Sequence, residues 1–209
     1  MPASLFLLAQ QYIKGFSGTN DGKYLLPLDI TQHDPRHQHG TNAKVLAYLL
    51  QPENNYYMCT TRKGGVRRPT REFLRILAQQ KPAIRVILDV GAQMLDLQNR
   101  ELAAAWLDVS PDSSAAIYFS EDDELTVLTR DGGTQLLLSS PFAQQLDQCV
   151  IYLDDAHTRG TDINFPSGFR AAVTLGPGVT KDRLAQGMCR FELDEDRRSY
   201  FVALSLCRL

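Results

Sequence analysis

Two short runs constrain this chain more than anything else in it. IRVILDV (84–90) and CVIYLD (149–154) are apolar at almost every position, the first rich in β-branched residues and the second ending in an acid. A strand with one wet face alternates apolar and polar residues. A continuous apolar run is what a strand covered on both faces requires, and CVIYLD is the stronger central-strand candidate. From residue 84 onward such runs alternate with helical composition. NRELAAAWLDV (99–109) reads as a helix, and AAIYFS (115–120) and LTVLTR (125–130) read as strands. Asp131-Gly132-Gly133 marks a turn before TQLLL, and AAVTLG (171–176) is a further strand. TKDRLAQGMCR (180–190) reads as a helix with Thr180 as N-cap, and SYFVALSL (199–206) as a last strand. The expected class is α/β, a mostly parallel sheet flanked by helices.

The first 83 residues are less regular and are expected to form an N-terminal extension (1–83) to the sheet domain (84–209). KYLLPLDI (23–30) is strand-like, and TNAKVLAYLLQ (41–51) is helical, with Thr41 or Asn42 capping. PTREFLRILAQQK (69–81) is a second helix with proline at its start. A basic cluster, Arg62, Lys63, Arg67, Arg68 and Arg71, stands out; such runs are commonly solvated surface, and phosphate contact is the alternative.

The chain has 209 residues with 44% hydrophobic and 22% charged, enough for one domain with a real core. Its net charge of −2 gives no global attraction to nucleic acid or an anionic membrane, so contact with a polyanion needs a local patch. No stretch reaches the roughly 20 apolar residues of a membrane span. The start, MPASLFLLAQQYIKGF, lacks a basic n-region and reads as an amphipathic helix rather than a signal peptide. Cys59, Cys149, Cys189 and Cys207 show no CxxC spacing, and three sit in apolar runs as buried thiols do; a cytoplasmic setting is expected.

The most informative segment is CVIYLDDAHTRGTDINFP (149–166). A buried strand ends in acids, and Thr158, Arg159, Gly160, Thr161 and Asp162 follow as a polar turn. Ligands of open α/β sheets sit outside the carboxyl ends of the strands, where this turn belongs. Gly160 allows close backbone approach to a phosphate or a partner loop. Arg159 offers a fixed fork of donors, and Asp162 can orient it or a nucleotide hydroxyl. The plain alternative is a strand-to-helix turn with an Arg–Asp surface pair.

TRGTDI (158–163) resembles motif V of superfamily 2 motors, especially that of the bacterial preprotein translocase ATPase. FSGTND (16–21) resembles the coupling motif III, KDRLAQGMCR (181–190) resembles motif VI, and IRVILDVGAQ (84–93) falls where motif IV belongs. Over roughly residues 10–190 the chain is also similar to a region near the C-terminal end of very large, mainly fungal proteins of unknown function. These are often labelled ubiquitin thioesterases. The resemblance implies a second RecA-like lobe of a P-loop NTPase-like motor, closing on a nucleotide-bound N-terminal lobe of the same larger protein. In it Arg190 and Gln186 face the γ-phosphate, and Arg159, Thr161 and Asp162 sense nucleotide and substrate. Thr158, Gly160 and Thr161 approach the nucleotide, and Ser17 and Thr19 couple the lobes. ATP with magnesium is implied only together with that missing lobe; nucleic acid is a further implied partner, and a membrane is not. Two departures stand out. Arg190 is followed by Phe191 and Glu192 rather than leading to a second arginine, which removes support for an arginine finger, and no GxxxxGK[ST] is present, so ATP hydrolysis by this chain alone is not expected. LDDAH (153–157) looks like a Walker B strand end, but with RGTDI directly after it the motif V reading fits better.

The ubiquitinyl-hydrolase alternative needs a thiolate, a histidine base and an orienting acid. His157, beside Asp154 and Asp155, is the best base, and Cys59 or Cys189 the nucleophile. Cys149 lies on the same strand, about 26 Å away if eight residues are extended, and cannot pair with it. Ubiquitin is the partner this alternative implies. A non-catalytic interaction domain is the third reading. His33, His37 and His39 have suggestive spacing but sit in a loop, and no metal site is expected.

Overall fold

The computed structural model describes residues 68–158, 163, 165–166, 168–176, 178–180 and 183–184, and for 56–59 and 201–205 the backbone course. Among the described residues eight strands form one sheet. They are β1 (Tyr56–Cys59), β2 (Ile84–Leu88), β3 (Ala115–Phe119), β4 (Leu125–Thr129), β5 (Thr134–Leu136), β6 (Cys149–Leu153), β7 (Arg170–Leu175) and β8 (Phe201–Ser205). Their order is β1-β8-β7-β2-β6-β3-β4-β5. All pairs from β1 to β3 in that order are parallel, and β3-β4 and β4-β5 are antiparallel. The expected α/β class and mostly parallel sheet are therefore present. β1 lies before residue 84 yet pairs with β8, so the sheet draws on both sides of the expected boundary at 83/84. The strand-like segment 23–30, the helical segment 41–51, the histidine loop and most of the basic cluster lie outside the described residues.

β2 and β6 are the central pair, and their side chains are buried almost throughout, as their continuous apolar runs require. One face of the sheet carries Val86, Leu88, Ile117, Ile151, Leu153 and Val173. The other carries Ile87, Ala116, Tyr118, Val150, Tyr152 and Ala172, and packs against two helices, α1 (Thr70–Ala78) and α2 (Asn99–Asp108). α1 places Phe73, Leu74 and Leu77 at helical spacing toward the sheet, and an Arg68–Glu72 pair at 2.7 Å lies one turn apart at its start. α2 is opened by a reciprocal cap between Gln98 and Glu101 and buries Leu102, Ala103 and Trp106. The antiparallel β4-β5 turn is closed at Gly132, whose φ of 86° suits a residue without Cβ.

The connections leave the sheet in opposite directions. After β2 the chain turns to the helical face, where Met94 and then α2 are buried. After β6 and β7 it turns to the other face, where Ile163 and Phe169, then Val179 and Leu184, pack. The connections after β2 and after its neighbour β6 therefore leave on opposite faces, the topological position at which open α/β sheets hold ligands.

Candidate functional site at the carboxyl ends of the strands

The loop after β2 is organised by one carboxylate. Asp89 is 2% exposed, and its Oδ1 accepts from the Gln93 amide at 2.7 Å and the Thr174 hydroxyl at 2.5 Å. Its Oδ2 accepts from the Met94 amide at 3.1 Å. Three donors offset the cost of burying the charge. Thr174, at the end of β7, in turn accepts from the Gly91 amide at 3.0 Å, so the exits of β2 and β7 are pinned together. A Cβ on Gly91 would stand 2.4 Å from the Gly176 nitrogen, a close approach of two backbones that only glycine permits. Tyr152 projects on the same face. Burial first, then the charges of Asp89 and Asp154, push its hydroxyl well above the usual tyrosine range.

The end of β6 is a second knot. Asn99, the first residue of α2, donates from Nδ2 to the Phe119 carbonyl at 3.0 Å and to the Asp154 carboxylate. Asp154 Oδ1 also receives the His157 amide at 3.0 Å and contacts His157 Nδ1 at 2.7 Å. The other ring nitrogen, Nε2, lies 3.1 Å from Asp123 in the β3-β4 turn, and the ring stacks on Phe119 at 3.9 Å. One asparagine and one histidine thus join the ends of β3 and β6 to the start of α2. Asp155, the next acid, receives Arg183 Nη2. Arg183 stands just after Thr180, whose hydroxyl accepts the Arg183 amide at 3.2 Å, the contact an N-cap makes.

Of the site residues expected from sequence, Thr158 and His157 are described. Thr158 is fully buried, its amide donating to the Asp154 carbonyl at 2.9 Å and its hydroxyl to the Asp155 carbonyl at 3.1 Å. These bonds spend the Thr158 hydroxyl on the turn itself. His157 is gripped at both ring nitrogens. Arg159, Gly160, Thr161, Asp162, Gln186, Cys189, Arg190, Ser17 and Thr19 lie outside the described residues, as does the side chain of Cys59. Cys149 opens β6 at the opposite end from His157, as expected, and is fully buried. Burial, then the charge of Asp147, pushes its thiol up to about 12, against a lesser pull from Arg85. That suits a core thiol and not a nucleophile.

Sequence reading missed Asp89, Asn99, Asp123 and Arg183. Asp89 carries the one available signal, an acid ending an apolar run. Among the described residues no group of three or more histidine, cysteine or acidic side chains is arranged to hold a metal ion, and no helix is long and apolar enough to cross a membrane. Comparison with protein-family models, with curated proteins and with solved structures gives no match for this chain.

Proposed function

We propose that this chain is a lobe of a superfamily 2 helicase- or translocase-like, NTP-dependent protein, unable to hydrolyse ATP without a nucleotide-binding partner lobe. The observation that carries the reading is the Arg183–Asp155 contact. It brings Arg183, a residue of the KDRLAQG segment, to Asp155 just before RGTD, which supports a lobe in which those two motifs share one nucleotide-facing edge. The parting of the exits at the same edge supports it further. In this reading Arg190 and Gln186 face the γ-phosphate, and Arg159, Gly160, Thr161 and Asp162 form the turn that senses nucleotide and substrate.

The test is ATP turnover with the preceding lobe present, in wild type and Arg190→Ala. Loss of turnover with ATP binding retained is the expected result. Turnover unchanged in Arg190→Ala overturns the reading.

The second reading, a thiol-dependent ubiquitinyl hydrolase, draws on the Asp154–His157 contact, the orientation a histidine base needs. Its cost is that Nε2 faces Asp123, a contact that must open before a cysteine thiol can reach that nitrogen. A ubiquitin vinyl sulfone adduct that disappears on Cys59→Ala or Cys189→Ala establishes it in place of the motor lobe; no adduct on the folded chain removes it.

A further inference from the structure

We propose that the loop after the central strand β2 is an oxyanion nest, filled from within by the carboxylate of Asp89 and thereby closed to phosphate. The backbone builds the nest. Ala92 donates its amide to the Asp89 carbonyl at 3.0 Å and takes a φ of 47°, the left-handed conformation. The two following amides, of Gln93 and Met94, then turn inward onto one carboxylate. Successive amides converging after a left-handed residue form an anion-binding concavity, the arrangement phosphate-binding loops use at this place in an α/β sheet. Here a third donor, the Thr174 hydroxyl, completes the cage from β7, and Gly91 and Gly176 bring the two exits into backbone contact.

The occupant is the chain's own side chain, 2% exposed, so its charge is already satisfied where a phosphate would otherwise sit. A second anion beside it meets like-charge repulsion and finds these amide donors taken. The loop at the carboxyl end of β2 is therefore not a phosphate site in the native chain. Any nucleotide phosphate this lobe meets has to be met by other residues and held by a partner. The nest itself is independent of the motor reading; only that last consequence rests on it.

Chemical replacement of the carboxylate tests the nest. Asp89→Ala removes the internal anion and leaves its donors facing a small void. Thermal unfolding is followed with increasing sodium formate or inorganic phosphate, and with chloride at matched ionic strength. The expected result is a rise in Tm of about 3 °C for Asp89→Ala with formate or phosphate over chloride, and none for wild type. If Asp89→Ala does not fold in buffer, formate-dependent recovery of the fold is the same positive result. No oxyanion-specific stabilisation or recovery overturns the nest. In wild type, the Gln93 and Met94 amide resonances stay fixed during a phosphate titration; a saturable shift there overturns the closed state. Loss or survival of Arg190-dependent ATP turnover changes none of these readouts, so failure of the nest and failure of the motor reading are told apart.

Discussion

Arg183 donates to the carboxylate of Asp155 and thereby ties the segment after β7 to the end of β6. The pair is partly open, with the Asp155 side chain 35% exposed, so solvent screens much of its Coulomb energy. A double-mutant cycle with Asp155→Asn and Arg183→Leu should give a coupling of about 0.5–1 kcal/mol in urea unfolding. Additivity within about 0.3 kcal/mol would show that the two residues are merely adjacent.

Asn99→Ala should loosen the β6 exit without unfolding the sheet. The asparagine holds both the Phe119 carbonyl and Asp154, and Asp154 holds the His157 amide. Loss of these bonds should cost roughly 1–3 kcal/mol, because Asp154 loses a donor while partly buried. Amide hydrogen exchange at His157 and Thr158 should accelerate about tenfold, with the β6 amides from Val150 to Leu153 unchanged. Equal acceleration along β6 would mean that the effect is global and that Asn99 has no local role.

The contrast between strands that are readable from sequence and contacts that are not has a physical basis. β2, β3, β4, β6 and β7 are local runs whose burial shows in their own composition, and Asp131-Gly132-Gly133 announces the turn before β5. β1 is different. Four residues set in a polar stretch form a strand only because β8, more than 140 positions later, supplies the partner edge. The site splits the same way. An acid after an apolar run places Asp89 and Asp154 at strand ends, but Thr174 on Asp89 and Asn99 on Asp154 depend on register and on where α2 begins. No local spacing carries that information.

Gly91→Ala should be among the most damaging single-methyl additions to the described sheet. The added carbon would meet the Gly176 nitrogen at 2.4 Å and the Leu175 carbonyl carbon at 2.6 Å, both backbone atoms that cannot rotate away. The strand exits must separate, which also stretches the Gly91 amide from Thr174. A loss of about 3 kcal/mol or more is expected, read as a fall in Tm of about 6–12 °C. Gly132→Ala is the comparison: its Cβ meets nothing within 4 Å, and its φ of 86° leaves only backbone strain, about 1 kcal/mol. A Gly91→Ala chain as stable as Gly132→Ala would refute the close approach.

Cys149 should be silent to thiol reagents while the chain is folded. Burial, then the charge of Asp147, raises its thiol from 9.0 to about 12, so at pH 8 almost no thiolate forms and the sulfur is inaccessible. The raised value fixes the sign of a pH effect. Below pH 9 the thiol is protonated folded or unfolded, and its full stabilising contribution is present. Above that the unfolded chain loses its proton first, and stability declines as pH rises toward about 12. Tyr152, raised chiefly by burial, adds to the decline in the same direction. Iodoacetamide followed by peptide mass analysis at pH 8 should leave Cys149 unmodified in buffer and modify it in urea, and Cys149→Ala should flatten part of the alkaline fall in the urea midpoint. Rapid modification in buffer would place the thiol at the surface and undo the burial on which β6 is built as a central strand.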